Sequence, residues 1–282
     1  MKLVRFGNIG EEQPGLIDHA GALRSLAGVV NDIDGAALSP EGLAKLAALD
    51  TQSLPLAPSG VRIGPCVGRV GKLIGIGLNY SDHAAESGLP VPTEPIVFMK
   101  ATSSISGPYD PVEIPADAEK TDWEVELAFV IGTRAKKVSE ADALKHVAGY
   151  CIVNDVSERA WQIERQGQWT KGKSHDTFSP MGPWLVTADE IPDAGNLGMR
   201  LDVNGVRRQN GSTRTMIFGV AYLVSYLSRF MTLHPGDVIT TGTPPGVGLG
   251  MKPQVYLKPN DVMRLEIDGL GYQQQTVVVE GA

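Results

Sequence analysis

Short apolar runs separated by turn residues set the pattern of this chain. KLIGIGLNY, PIVFMKA, WEVELAFVIG, GYCIVNDV, MRLDVNG, DVITTG and MRLEIDG each read as a strand bounded by Gly, Pro, Asn or Asp. Helical spacing is sparse. After the start signal of Ser39 and Pro40, Leu43, Leu46 and Leu49 fall on one face; further helices are expected over Asp82 to Ser87, in ADALKHV and around Phe218 to Phe230. Many strands and few helices, without alternating βαβ units, predict an α+β, mainly β body. Strand-like MKLVRFG, an apolar stretch around Leu16 and the Ser39 helix make residues 1–65 a small N-terminal domain. The Pro- and Gly-rich SLPLAPSGVRIGP then leads into a larger domain over 66–282.

Composition narrows the function. A chain of 282 residues with 42% hydrophobic and 20% charged residues can bury its own core and is not of the disordered class. Twenty-five Lys and Arg against 32 Asp and Glu give a formal charge of -7, which removes the basis for general phosphate-backbone binding, so no nucleic-acid partner is expected. No apolar run approaches the roughly 20 residues of a membrane span, and MKLVRFGNIGEEQPG lacks a signal-peptide core, so no membrane partner and a cytoplasmic location are expected. Cys66 and Cys151, without CxxC spacing, read as packed reduced thiols.

Candidate chemistry begins in TDWEVELAFVIG. Trp123, Val125 and Leu127 alternate with Glu124, Glu126 and Ala128, so a strand would aim both glutamates at one face. Like charges there must be solvated or share a cation, and Asp155, at the end of GYCIVND, offers a third oxygen. A carboxylate set without His or Cys suits Mg²⁺ or Mn²⁺ better than zinc; the alternative is an ordinary solvated strand face. In NYSDHAAESGLP, Ser81 or Asp82 caps a short helix that Gly88 closes, which sets His83 and Glu86 three apart as a general-base pair or a local hydrogen-bonded pair. Having little core of its own, the stretch 79–92 is expected to act as a mobile lid.

In order along the chain, IGLNYSDHAAE, EPIVFMKA, DWEVELAFVIG, GYCIVNDVSER, WTKGKSHDTFSPMGPW and PGDVITTGTPPGVG resemble the fumarylacetoacetate hydrolase family, from about residue 66 almost to the C terminus. The resemblance implies a mixed β-sheet roll behind a small N-terminal domain, a homodimer or homotetramer, and a Mg²⁺ or Mn²⁺ ion on Glu124, Glu126 and Asp155. It places the catalytic pair on His83 and Glu86 with Lys173, and the substrate contacts on Arg159, Gln162, Lys173 and Thr243. Without the resemblance, Lys173 reads equally as a loop lysine, Arg159 as an ion pair with Glu158 or Glu126, and the TGTPPGVG glycines as a tight turn. Asn79 stands where some members carry a further acidic ligand.

The implied reaction is hydrolysis of a 2,4-diketo acid to pyruvate and a carboxylic acid. Similarity over the whole chain to a bacterial subgroup of ureidoglycolate lyases and diketo-deoxy-sugar-acid hydrolases suggests a 2,4-diketo-3-deoxy acid of the rhamnonate or fuconate type. The same site also suits ureidoglycolate lyase, oxaloacetate decarboxylase or dioate isomerase chemistry, or a binding protein without catalysis.

Overall fold

The computed structural model describes residues 1–88 and 90–281, so Leu89, inside the expected lid, and Ala282, the end of the expected second domain, lie outside the described residues. In chain order the strands are β1 (Lys2–Phe6), β2 (Gln13–Ile17), β3 (Leu23–Ser25), β4 (Leu73–Gly77), β5 (Ile96–Lys100), β6 (Ile105–Ser106), β7 (Val112–Ile114), β8 (Thr121–Asp122) and β9 (Val125–Ile131). They continue with β10 (Val147–Asn154), β11 (Ser157–Glu158), β12 (Ser179–Thr187), β13 (Gly198–Val203), β14 (Val206–Ser212), β15 (Val238–Thr240), β16 (Val262–Ile267) and β17 (Gly271–Val279). The α-helices are α1 (Pro40–Ala47), α2 (Ser81–Ser87), α3 (Glu140–Ala143), α4 (Thr170–Lys173) and α5 (Val220–Phe230). The fold is α+β and mainly β, as its pattern predicts. None of the described helices is long and apolar enough to cross a membrane.

A ten-stranded mixed sheet runs β3-β2-β1-β12-β10-β9-β15-β4-β5, with β6 attached to β12, and faces a five-stranded sheet ordered β14-β13-β16-β17-β7. β9 lies mid-sheet, and all seven of its residues are buried. Its odd positions, Val125, Leu127, Phe129 and Ile131, pack with Met199 and Leu201 of β13 and Leu265 of β16. Ala128 and Val130 turn the other way, into a second core with Leu3, Leu16, Leu38 and Leu46. A strand covered on both faces needs apolar residues at both parities, which is why alternation is visible only where Glu124 and Glu126 interrupt it. Glu124 lies just before β9, its N–H donating to Asn154 Oδ1 at 3.2 Å.

Residues 1–65 supply β1 to β3 and α1, and β1 pairs with β12 (Leu3 opposite Leu185), so one sheet runs from this segment into the body. The division at residue 66 therefore stays a proposal about folding units. Ser39 caps α1 through Gly42 N, as its motif predicts. ADALKHV departs from expectation: only α3 is α-helical, Leu144–His146 forms a 3-10 turn, and Val147 already enters β10. Cys66 and Cys151 are free and buried, and hydrogen bonding to Cys66 together with burial holds the Cys151 thiol well above its ordinary range.

Asn79 is fully buried at the start of the expected lid. Its Nδ2 donates to Thr241 O (2.8 Å) and Phe218 O (3.0 Å), and its Oδ1 accepts from Phe218 N (2.8 Å). Asn79 and the fully buried Tyr80 are thus pinned to the body, so the first two residues of the expected lid belong to the core. Asn79→Leu leaves one buried and two part-buried backbone groups without partners, so stability should fall by about 2–4 kcal/mol in urea denaturation; a loss below about 1 kcal/mol would show that this amide does not fasten the segment.

Candidate active site

Glu124, Glu126 and Asp155 meet where β9 begins and β10 ends. Antiparallel pairing sets Asn154 opposite Val125 and Val153 opposite Glu126, and Asp155 N donates to Glu124 O at 2.9 Å. One oxygen from each carboxylate lies within 4.8 Å of the others, and all three residues are buried. Lys173 Nζ donates to Glu124 Oε2 (2.8 Å) and Asp155 Oδ2 (2.7 Å). Arg159 Nη2 reaches Glu124 Oε1 (2.6 Å), and Lys100 Nζ bonds Asp155 Oδ1.

Glu126 is the exception. Among the described residues it has no ion-pair partner, and the hydrogen bond to its Oε2 comes from Gly242 N at 2.8 Å. Burial, then Asp155 and Glu124, push its carboxyl well above the ordinary carboxylate range. Burial also opposes ionisation of Glu124, but Lys173 and Arg159 outweigh it and hold that group below the usual range. Lys173 stays charged because Asp155 and Glu124 overcome its burial, whereas burial prevails at Lys100 and lowers it.

Four buried carboxylates, counting Asp122, therefore meet three cations, Lys100, Arg159 and Lys173. Three clustered hard oxygens, one of them on a carboxyl left without a counter-charge, fit Mg²⁺ or Mn²⁺. With a divalent ion added, the cluster carries one net positive charge, the complement of an anionic substrate.

A cavity of about 850 Å³ is lined by every residue that the sequence reading selected: His83, Glu86, Glu124, Glu126, Asp155, Arg159, Gln162, Lys173 and Thr243. His83 Nδ1 lies 3.1 Å from Glu86 Oε2. The Glu86 carboxylate also accepts from Gly246 N at 3.0 Å, so Nδ1 is the nitrogen held by the protein, and among the described residues Nε2 has no hydrogen-bond partner. The expected cap differs: Tyr80 is the N-cap and makes no side-chain cap bond, because Asp82 Oδ1 accepts from Thr215 Oγ1 and Ser81 Oγ donates to Thr215 O. Gly88 closes α2 at φ +64°, as expected.

The remaining predicted contacts are partly spent inside the protein. Arg159 pairs with Asp122 and Glu124, not with Glu158 or Glu126; Glu158 instead accepts from Thr121 Oγ1 and Lys120 N. Gln162 Oε1 accepts from Arg159 Nη1 (3.0 Å), which leaves its amide donors for a ligand. Thr243 Oγ1 donates to Val125 O and accepts from Gln209 Nε2, so its hydroxyl braces β9. The TGTPPGVG glycines do more than turn the chain. Gly242 and Gly246 take φ of +88° and +104°, and a Cβ at Gly246 would lie 2.0 Å from Arg208 O.

Sequence reading missed Lys100 and Asp122. Lys100 closes the apolar run of β5, and a lone lysine two residues after Phe98 on a strand was the available signal. Asp122 accepts from Arg159 Nε (2.9 Å), Gly248 N (2.7 Å) and Leu249 N (3.0 Å); those partners are distant in sequence and left no local signal.

Residues 72–278 match the model for the fumarylacetoacetate (FAA) hydrolase C-terminal domain. A Burkholderia ambifaria protein provisionally named a hydrolase is 63% identical over 98% of both chains. The structure of 2-hydroxyhepta-2,4-diene-1,7-dioate isomerase from Mycobacterium marinum is similar with a TM-score of 0.76 at 32% identity, covering 100% of both chains. Maleylpyruvate hydrolase from Sphingobium sp. SYK-6, solved with manganese(II) and pyruvate, gives a TM-score of 0.83 at 29% identity over 99% of both chains. With the order of its motifs, the extent of this likeness and the clustered carboxylates in agreement, the chain belongs to the fumarylacetoacetate hydrolase family.

Proposed function

We propose that this chain is a divalent-metal-dependent hydrolase that cleaves a 2,4-diketo acid between C3 and C4, releasing pyruvate and a carboxylic acid. The observation that carries the reading is that a His-Glu pair with Nε2 uncommitted, a buried lysine ammonium and three clustered carboxylates line one cavity. Glu124, Glu126 and Asp155 would hold Mg²⁺ or Mn²⁺, which when bound supplies Lewis-acid polarisation of the substrate's carboxylate and C2 oxygen. That the Sphingobium relative was solved with manganese(II) and pyruvate supports a divalent metal and a 2-oxo acid as the ligands.

His83 Nε2 takes a proton from water while Glu86 steadies the imidazole through Nδ1. The water oxygen bonds to C4. Two of the three Lys173 N–H groups are held by Glu124 and Asp155, and the third stabilises the oxyanion at C4. The C3–C4 bond then breaks, its electron pair goes to C3, and protonation there gives pyruvate. Glu86, bound to Gly246 N, keeps α2 over the cavity and limits entry of further water.

Isomerase and decarboxylase reactions share the enolate but need no activated water, and ureidoglycolate cleavage needs no enolate; hydrolysis is the reading that uses His83 for water and the metal for the enolate together. The sugar-acid form of the proposal, a rhamnonate or fuconate derivative, asks the cavity for hydrogen-bonding partners beyond C4. The homodimer or homotetramer and the cytoplasmic location implied by the sequence remain part of the proposal. For a second copy we propose the face of α5 and the residues before it, where Phe218, Tyr222 and Tyr226 stack, Phe230 meets Tyr226 edge-on, and Phe230 is 63% exposed.

Chelation should abolish diketo-acid cleavage, and Mg²⁺ or Mn²⁺ should restore it. Glu126→Gln should weaken metal binding by more than about 100-fold, beyond the 10- to 100-fold usual for an outer-shell partner; calorimetric affinity equal to wild type would remove Glu126 from the ligand set. His83→Ala should lower kcat by about 10²- to 10⁴-fold with metal affinity retained, and should still exchange the C3 protons of pyruvate with deuterium. Near-wild-type hydrolysis by that variant would leave an isomerase or decarboxylase as the better reading.

A further inference from the structure

The cavity is much larger than a pyruvate unit requires, since its volume of about 850 Å³ lies in the range of roughly 300–1,000 Å³ that takes drug-sized ligands. Apart from the metal-binding, acid-base and substrate-contact set, the charged or amide side chains of its lining are, among the described residues, Lys252 and Gln254. Gln254 is spent, with Nε2 donating to Leu249 O and Oε1 accepting from Tyr256 Oη. Among the described residues the other side chains of the lining are apolar, apart from the indole N–H of Trp169.

One part of that wall is built for rings. Phe98 and Trp169 pack with centroids 5.4 Å apart and an interplanar angle of 58°. Each is received by a glycine of β4: a Cβ at Gly75 would lie 2.2 Å from the Phe98 ring, and one at Gly77 would lie 2.4 Å from the Trp169 ring. Lys173 Nζ stands 5.2 Å from the Phe98 centroid, so the wall starts beside the reacting end of the cavity. Ile163, 50% exposed, adds further unfilled apolar surface to the same lining.

We propose that the group carried by C4 of the substrate is an unhydroxylated aryl or branched alkyl group seated on Phe98, Trp169 and Ile163, with Trp169 setting the preference. This rests on the diketo-acid reading. A tail with several hydroxyls against this wall would lose water for few partners, since the Trp169 indole N–H and the Gln162 amide are donors only, whereas apolar carbons there leave water at no such cost.

The test compares acetyl-, isobutyryl- and benzoylpyruvate with a 2,4-diketo-3-deoxy sugar acid and maleylpyruvate, using the Mg²⁺-loaded enzyme. Burial of each added methylene should raise kcat/KM about fourfold, and benzoylpyruvate should exceed acetylpyruvate by at least about tenfold. Trp169→Ala should bring that ratio to within about threefold of unity. Ile163→Asn, at a half-exposed position that tolerates a polar residue, should move it the same way.

Calorimetric binding of benzoyl- and acetylpyruvate reads the same ratio without turnover. Tighter benzoylpyruvate binding with no cleavage of any diketo acid would overturn the reaction and keep the seat. Cleavage without the tail preference, a preference for the hydroxylated tail or for the carboxylate-ended tail that Lys252 would take, or a ratio indifferent to both substitutions would overturn the seat and keep the reaction.

Discussion

Removing several carboxylates from water in one place is the constraint on which this structure depends. Each buried ion costs several kcal/mol unless it is paired and fully hydrogen-bonded, and Asp122, Glu124, Glu126 and Asp155 are all at most 6% exposed. Lys100, Arg159 and Lys173 answer three of the charges from β5, the turn after β11 and α4. The fourth is left to a group from outside the chain. That imbalance is costly for folding and useful for function, because it gives a divalent cation and an anionic substrate a reason to bind.

A single glycine-rich loop completes the arrangement. Gly242 N donates to Glu126, Gly246 N to Glu86 and Gly248 N to Asp122, so backbone amides from one loop serve the metal-binding face, the acid-base pair and the aspartate that orients Arg159. Positive φ at Gly242 and Gly246 turns these amides inward. Because His83 and Glu86 both ride on α2 and Asn79 fixes the chain just before it, displacement of α2 would part Glu86 from Gly246 and carry the His83 pair away from the carboxylates.

How much of this was legible in the sequence follows from the range of each interaction. Glu124 and Glu126 were found because strand alternation is local, and Gly88 because a left-handed helix end favours glycine. Ser81 and Asp82 misled because their oxygens are drawn away by Thr215, more than 130 positions along the chain. Arg159 was placed at the site by the family resemblance, while the alternative ion pair with Glu158 or Glu126 missed its partners for the same reason: Asp122 and Glu124 lie 37 and 35 positions before it. Residues 1–65 read as a small module; the register of Lys2 against Val186 pairs β1 with the main sheet, a pairing that no local pattern encodes and that leaves the division a proposal. The family resemblance supplied Lys173 and Thr243; only the structure shows that the Thr243 hydroxyl braces β9.

The central claim is that the uncompensated carboxylate at Glu126 completes a cation site with Glu124 and Asp155. Anomalous diffraction from crystals of the whole chain grown with Mn²⁺ tests it most directly. The account predicts a single strong peak within coordinating distance of one oxygen from each of these three residues, with Lys173 still bonded to Glu124 and Asp155. A peak elsewhere, or a fully active enzyme whose crystals show no ion between these carboxylates, would contradict it.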